Sequence, residues 1–338
     1  MWSIYSLNDK IMMRKKMKLF GYMALLAGFS NAASALPTCP NLAWLETQFV
    51  QPELPDSGYR NRLNKLITWL PAFHMVHDQV VAEGHAVTVT AKFDYGAVAH
   101  KDLEYEAVKF YIRSEQDTQW RFLANAVTDH DGKARVTLPA LQAGQYRIYA
   151  GVPADKSGTE GYVTVVQAGT QAVLFDIDGT LTESDAEQIG DYTGISRADE
   201  KEGAYTLVRR YLDLGYQPVY LTARVYWYAK GTRDWLNWMG LPQGFLRTSL
   251  SNETSLFRTA EYKTAEINRL QAQGLDIVRA YGNAKTDAEA FIRAGLGETS
   301  SFTIGPDAGH YGTTAIDQNH YYQHIQTYVD DYPAAKCE

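Results

Sequence analysis

From residue 170 onward, short apolar runs alternate with segments of helical periodicity, and few architectures accommodate that order. The runs at residues 173–175 and 218–221 lack polar alternation, as expected for strands buried on both faces of a parallel sheet. Helices are predicted at residues 205–214, 229–239, 262–273 and 287–294. The pattern predicts a doubly wound, Rossmann-like α/β domain, in which ligands bind beyond the carboxyl ends of the strands.

Polar side chains follow the first two apolar runs of this domain. Asp176 and Asp178 come directly after the first run, so both carboxylates can reach one bound phosphate, and Gly179 permits a sharp turn beside them. Thr222 follows the second run and can donate to a phosphate oxygen, while Lys263 opens a predicted helix and can supply positive charge to a transferring phosphoryl group. Taken singly, each feature has an ordinary structural explanation, such as a turn or an exposed lysine.

A third predicted strand, at residues 277–281, ends at Gly282 and Asn283, and Asp287 follows four residues after the asparagine. The oxygen atoms of Asn283 and Asp287 are ligands suited to a hard cation such as Mg²⁺. Because the carboxyl ends of parallel strands meet at one edge of a sheet, these residues are expected to join the aspartate pair there.

The order of these residues resembles the four motifs of the haloacid dehalogenase superfamily. The similarity is closer to the lipin-type phosphatidate phosphatases and to the related C-terminal module of some phosphatidylinositol-transfer proteins. It is carried by residues 175–180, 220–224, 240–244 and 281–287, and it extends over roughly residues 170–310. It does not reach the N-terminal half.

The resemblance implies a chemical role for each residue at the strand ends. Asp176 would be the nucleophile that forms a phospho-aspartate, and Asp178 would act first as an acid and then as a base. Thr222 and Lys263 would hold the phosphoryl oxygens. Mg²⁺ would be held by Asp176, the main-chain carbonyl of Asp178, and Asp287, with Asn283 ligating or orienting. The residues assigned to substrate binding are Gly179, Thr180, Ala223 and Arg224.

These assignments predict a Mg²⁺-dependent phosphatase that hydrolyses a phosphate monoester, with phosphatidate or a related phospholipid as the substrate class that the resemblance favours. The chain between Asp178 and Thr222 is too short for a large cap domain, so the site should be open. The alternative is a non-catalytic module that binds phosphatidic acid. A third interpretation, an adhesin or scaffold, rests on the N-terminal half alone.

That half shows a different periodicity. Residues 86–91, 108–112, 133–138 and 146–149 alternate apolar and polar side chains, as strands with one buried face do, and Gly132 and Gly144 mark turns. The pattern predicts an all-β, immunoglobulin-like sandwich ahead of the α/β domain. The predicted divisions of the chain are residues 1–35, 36–82, 83–168 and 169–338, the second of them holding one amphipathic helix.

The first 35 residues combine five cations with an apolar run at residues 19–29 and a small-residue pattern at residues 33–35. This combination is typical of a signal peptide, and it predicts an exported protein that is periplasmic or secreted and has no transmembrane segment in its mature form. Because the segment also holds Asp9, its removal changes the formal charge from -7 to -11, which argues against a nucleic-acid partner. In an oxidising compartment, Cys39 and Cys337 are expected to form a disulfide, although two free thiols are the alternative.

The amphipathic helix is predicted around Leu63, Leu66, Ile67 and Leu70, and it ends at Pro71. The nearby cations Arg60, Arg62 and Lys65 leave two interpretations open. The segment could make peripheral contact with an anionic membrane, or the apolar stripe could pack on the rest of the protein beneath a solvated basic face. The second interpretation is the more common one and is favoured here.

Overall fold

The computed structural model describes residues 36–96, 100–183, 198–249, 258–316 and 319–338. The predicted signal peptide, residues 1–35, lies outside the described residues. Among the described residues, ten strands form the N-terminal half, because alternating side chains there give each strand one apolar face. They are β1 Met75–His77, β2 Gln79–Ala82, β3 Val87–Lys92, β4 Asp94–Tyr95, β5 Lys101–Asp102, β6 Ala107–Ser114, β7 Arg121–Val127, β8 Lys133–Leu138, β9 Gly144–Gly151 and β10 Gly158–Val166.

These strands confirm the predicted β-sandwich. One sheet has the order β1-β3-β8, the other has the order β2-β10-β9-β6-β7, and β4 pairs with β5 in a separate hairpin. The two sheets enclose an apolar core that includes Val89, Phe110, Ile148 and Val163. Strands β1 and β2 precede the predicted start of the sandwich at residue 83, and β2 joins its sheet by pairing in parallel with β10.

The C-terminal half contains the predicted parallel sheet, which has six strands in the order β13-β12-β11-β14-β15-β16. Its central strands are buried on both faces, as the continuous apolar runs predict. The strands of this sheet are β11 Thr170–Phe175, β12 Gln217–Val225, β13 Phe245–Ser249, β14 Leu275–Gly282, β15 Ser301–Ile304 and β16 Thr314–Ile316.

Helices lie close to their predicted positions in this half. They are α2 Ala204–Asp213, α3 Ala229–Trp238, α4 Thr259–Ala272, α5 Lys285–Arg293 and the short α6 Tyr322–His324, which continues as one π-helical turn, Ile325–Val329. Single 3₁₀ turns occur at Tyr226–Tyr228, Glu298–Ser300 and His310–Gly312. Residues 36–82 were predicted to hold one amphipathic helix, and they hold two shorter helices instead: α1 Leu42–Glu46 and a 3₁₀ helix, Arg62–Leu66.

Buried polar contacts join the sandwich to the α/β sheet. Asp78, between β1 and β2, is fully enclosed and accepts hydrogen bonds from the backbone amides of Tyr162 and Leu246, both at 2.8 Å. Arg233 of α3 donates to the same carboxylate at 2.5 Å. Because a buried charge is costly without such partners, this contact favours one fixed arrangement of the two halves.

The two ends of the described chain meet. Cys39 and Cys337 form the predicted disulfide, with their Cα atoms 4.9 Å apart. Beside it, the amide of Cys39 donates to the carbonyl of Glu338, and the amide of Glu338 donates to the carbonyl of Pro37, both at 3.0 Å. The final residues therefore belong to the folded body.

Candidate active site

The carboxyl ends of β11, β12 and β14 lie side by side, because these three strands are neighbours in a parallel sheet. Asp176 follows β11 directly, and its amide donates to the carbonyl of Tyr281 on β14 at 2.9 Å, which extends the strand pairing to the first residue of the site. The side chain of Asp176 is only 4% exposed. The sheet topology thus places a buried carboxylate at the edge where ligands bind in such folds.

Lys263 of α4 links the first and third strand ends. Its ammonium donates to Asp176 Oδ1 and to Asp287 Oδ1, each at 2.5 Å, and all three side chains are buried. Burial disfavours the charged lysine, but the attraction of the two carboxylates outweighs it and raises the pKa of Lys263. Burial, and then repulsion from Asp287, raise the pKa of Asp176 to about 8, against the opposing effect of Lys263. One ammonium can offset the charge of only one carboxylate, so full ionisation of both aspartates is disfavoured within this trio.

Asp287 is held at the start of α5. Its Oδ2 accepts hydrogen bonds from the backbone amides of Asn283 at 3.2 Å and Ala284 at 3.0 Å. The preceding Gly282 has no side chain, and a Cβ there would lie 2.5 Å from the Cβ of Asp287. The glycine is therefore required by the close approach of this aspartate, which explains its place before the asparagine.

Asp178 faces a different set of partners. Arg224, near the carboxyl end of β12, donates from Nε at 2.8 Å and from Nη2 at 2.6 Å to Asp178 Oδ1, and its Nε also lies 3.0 Å from Oδ2. Thr222 Oγ1 donates to Asp178 Oδ2 at 3.0 Å. Thr232 of α3 accepts from Nη1 of the arginine at 2.8 Å and thereby orients the guanidinium. Both oxygens of the carboxylate are engaged in this arrangement.

The remaining predicted site residues lie around these two groups. Gly179 has a positive φ of 68°, and the turn it permits brings Thr180 back beneath Asp176. The hydroxyl of Thr180 lies 3.0 Å from Asp176 Oδ2 and 3.3 Å from the side-chain oxygen of Asn283. Ala223 is half-buried between Thr222 and Arg224. The predicted residues therefore gather at one sheet edge, as an aspartate–lysine–aspartate trio and an aspartate–arginine pair.

A cavity of about 170 Å³ borders Arg224. Its aromatic walls are Phe73, which immediately precedes the sandwich, and Trp227 and Tyr228, which follow β12. The sequence alone did not indicate that Phe73 contributes here, because it lies about 150 positions away along the chain. The N-terminal half thus supplies part of the wall beside the candidate site.

Comparison with known families identifies both halves. Residues 173–305 match the family model described as PITM 1-3, LNS2 domain, and residues 72–165 match the model described as PITM 1-3, beta-sandwich domain. The protein carries a β-sandwich domain followed by an LNS2 domain. The second has the haloacid dehalogenase-like α/β fold that was predicted, and its matched region includes all the residues of the trio and of the pair.

Individual relatives agree with these matches. Protein retinal degeneration B of Drosophila melanogaster is 29% identical over 74% of this chain, and human membrane-associated phosphatidylinositol transfer protein 1 is 29% identical over 79%. Human membrane-associated phosphatidylinositol transfer protein 3 is 26% identical over 80% of the chain. The chain spans about a fifth of the length of the first two relatives and about a quarter of the third.

Two predictions are corrected by these matches. Of the two groups that the motifs resemble, the phosphatidylinositol-transfer proteins are the ones that match, so the closer resemblance to lipin-type phosphatases gives way to a match with the PITM LNS2 domain. The predicted periplasmic or secreted location is wrong, because the relatives are named as membrane-associated proteins. Within the residues that the structure describes, no helix has both the length and the apolar character needed to cross a bilayer.

Proposed function

We propose that the LNS2 domain hydrolyses a phosphate monoester with Asp176 as its nucleophile. The observation that carries this proposal is the trio of Asp176, Lys263 and Asp287, in which a buried carboxylate lies 2.5 Å from a buried ammonium at the ligand-binding edge of the sheet. A nucleophilic carboxylate needs nearby positive charge, since the phosphoryl group that it attacks is itself anionic. Lys263 supplies that charge without leaving the protein interior.

The donor atoms of the trio also suit Mg²⁺. Two buried carboxyl groups share one ammonium, and the oxygen-bearing side chain of Asn283 lies beside them, so a hard divalent cation would find oxygen ligands here and would favour the ionised form of Asp176. We propose Asp176, Asp287, Asn283 and the main-chain carbonyl of Asp178 as the groups that hold it. When bound, the cation would offset the charge of the phosphoryl oxygens.

The proposed reaction has two steps. A carboxylate oxygen of Asp176 attacks phosphorus, the bond between phosphorus and the ester oxygen breaks, and the leaving oxygen takes a proton from Asp178. Water then attacks the phosphorus of the phospho-aspartate and gives its proton to Asp178, which releases inorganic phosphate and restores Asp176. Lys263 and Thr222 stabilise the phosphoryl oxygens. For Asp178 to exchange protons, Arg224 must release at least one of the two carboxylate oxygens.

A phospholipid monoester of the phosphatidate class is the proposed substrate. The support is threefold: the sequence motifs resemble those of phosphatidate phosphatases, relatives of the chain are named phosphatidylinositol transfer proteins, and an aromatic cavity lies beside Arg224. The aromatic side chains suit an apolar substituent next to a phosphate, while Lys230, Thr232 and Asp234 make the rest of the lining polar.

The arginine pair favours a second candidate function, which is binding of phosphatidic acid without turnover. Arg224 holds Asp178 through two nitrogens and is itself fixed by Thr232. Such a fork between arginine and carboxylate is among the stronger polar contacts in proteins, and it occupies the group that the enzyme would use for proton transfer. A module that only binds phosphatidic acid needs positive charge at this edge of the sheet, but it needs no carboxyl group that exchanges a proton.

Replacing Asp178 with asparagine separates the two functions. If Asp178 transfers protons, Asp178→Asn slows phosphate release by at least about 10²-fold, the lower range for general acid–base catalysis, while binding of phosphatidate changes little. The measurement is phosphate release from a panel of monoesters, including phosphatidate in mixed micelles, with and without Mg²⁺. Asp213→Asn, which alters an exposed carboxylate at the end of α2, is the matched control and should behave as the wild type. Hydrolysis at the wild-type rate by Asp178→Asn would remove Asp178 from the mechanism.

A further inference from the structure

An exposed apolar and basic patch precedes the sandwich. It consists of Leu63, Leu66 and Trp69, whose side chains are 70%, 68% and 79% exposed, together with the exposed cations Arg60, Arg62 and Lys65. The sequence favoured packing of the apolar stripe on the protein itself. That interpretation is wrong for Leu63 and Leu66, and only Ile67 and Leu70 of the stripe pack against the sandwich core.

The patch is held in place by buried polar contacts. Asn64, at the centre of the 3₁₀ helix, donates to the carbonyl of Glu104 at 3.0 Å and to the carboxylate of Glu106 at 2.9 Å. The indole nitrogen of Trp69 donates to the carbonyl of Leu66 at 2.7 Å. These contacts fix the backbone of the patch before anything binds to it. Binding through the exposed apolar side chains therefore carries no entropic cost of ordering the loop.

The charge around the patch is opposite to that of the whole chain. The protein has a formal charge of -7, yet residues 60–70 hold three cations and no acid. The neighbouring acids are Glu104, which is exposed, and Glu106, which is buried beneath Asn64. Apolar side chains surrounded by cations complement the surface of an anionic bilayer, where the apolar groups enter the interface and the cations stay among the headgroups.

The patch also lies close to the candidate active site. Trp69 is three residues before Ala72 and four before Phe73, and both of these line the cavity beside Arg224. Three residues span at most about 11 Å, so the patch is near the edge of that cavity. A membrane bound at the patch would therefore lie next to the aromatic walls.

We propose that this patch docks the protein on the surface of an anionic phospholipid bilayer. Leu63, Leu66 and Trp69 enter the interfacial region, and Arg60, Arg62 and Lys65 contact lipid headgroups. The docking brings the cavity beside Arg224 to the lipid surface. It does not depend on the proposed hydrolysis, because it uses none of the residues of the trio or of the aspartate–arginine pair.

The test uses vesicles of phosphatidylcholine with and without phosphatidylserine, whose headgroup is a phosphodiester and not a monoester. Replacing Trp69 with alanine, or both Leu63 and Leu66 with serine, should weaken binding to the mixed vesicles at least about tenfold, because each apolar side chain contributes through its buried area. Replacing Arg60, Arg62 and Lys65 with glutamine should weaken it about 10²-fold at low salt, since each cation near an anionic surface contributes about a factor of five. Cosedimentation of the full chain with the vesicles measures both effects.

Trp238→Ala, which removes a half-exposed tryptophan on α3, is the matched control and should leave vesicle binding unchanged. Unaltered circular dichroism would show that the patch variants are folded. Failure of the wild-type chain to bind phosphatidylserine vesicles, or equal binding by the patch variants, would overturn the proposal. So would a wild-type dimer in light scattering that the patch variants convert to monomer, because the patch would then be a protein interface. None of these outcomes bears on phosphate release.

Discussion

Replacing Asp176 with asparagine is expected to reduce Mg²⁺-dependent phosphate release by at least about 10³-fold, because the amide cannot form the phospho-enzyme. The fold should remain intact. Asp176 and Asp287 share the single ammonium of Lys263, so asparagine removes the carboxyl group whose ionisation is disfavoured and leaves the contact between Lys263 and Asp287 in place. We therefore expect the free energy of unfolding to fall by no more than about 1 kcal/mol.

For the wild type and for each variant, we would measure the rate of phosphate release and a urea unfolding curve. Asp176→Ala tests whether the result depends on the shape of the replacement, and Asp213→Asn controls for the loss of one negative charge. Turnover by Asp176→Asn within about tenfold of the wild type would exclude Asp176 as the nucleophile, given the scale expected for removing one. A large loss of stability would mean that the trio is mainly structural.

Loss of the disulfide between Cys39 and Cys337 is expected to have the largest effect on stability. The bridge closes a loop of nearly the whole described chain, since its cysteines are 298 positions apart in the sequence. In the chain-entropy model, a loop of that length contributes on the order of 5 kcal/mol by restricting the unfolded state. The hydrogen bonds between Cys39, Glu338 and Pro37 would then be left to hold the ends together.

Urea unfolding of the wild type, with and without reductant, measures this contribution. The Cys39→Ser and Cys337→Ser double variant is the control, since its unfolding should not respond to reductant. We expect it to match the reduced wild type. A difference below about 1 kcal/mol between the oxidised and reduced wild type would contradict the prediction, since it is far smaller than the loop entropy implies.

Much of the LNS2 domain could be predicted because its signals are local. Residues 173–175 and 218–221 are apolar without alternation, and this pattern depends only on burial of both faces of a strand. Once the strands were placed in a parallel sheet, the residues after them had to meet at one edge. The contact of Lys263 with Asp176 follows from that topology and from the position of α4.

Other features depend on side-chain geometry that local patterns do not encode. The contact of Arg224 with Asp178 was not predicted, because the sequence does not show which way the guanidinium turns; the substrate-binding role assigned to Arg224 stays a prediction. The exposure of Leu63 and Leu66 was missed, since the apolar periodicity of a segment does not show which of its members meet a core. The periplasmic or secreted location was predicted from residues 1–35, whose composition suits export, whereas the family models match residues 72–165 and 173–305.

The most direct test of the proposed function measures binding and phosphate release in the same sample. Wild-type protein is mixed with phosphatidate vesicles in Mg²⁺ or in a chelator, and free phosphate and vesicle-bound protein are determined together. We predict that phosphate is released in Mg²⁺, and that the chelator stops the release while the protein stays bound through the patch around Trp69. Binding to the vesicles without release of phosphate in Mg²⁺ would contradict the enzymatic account and favour the binding module.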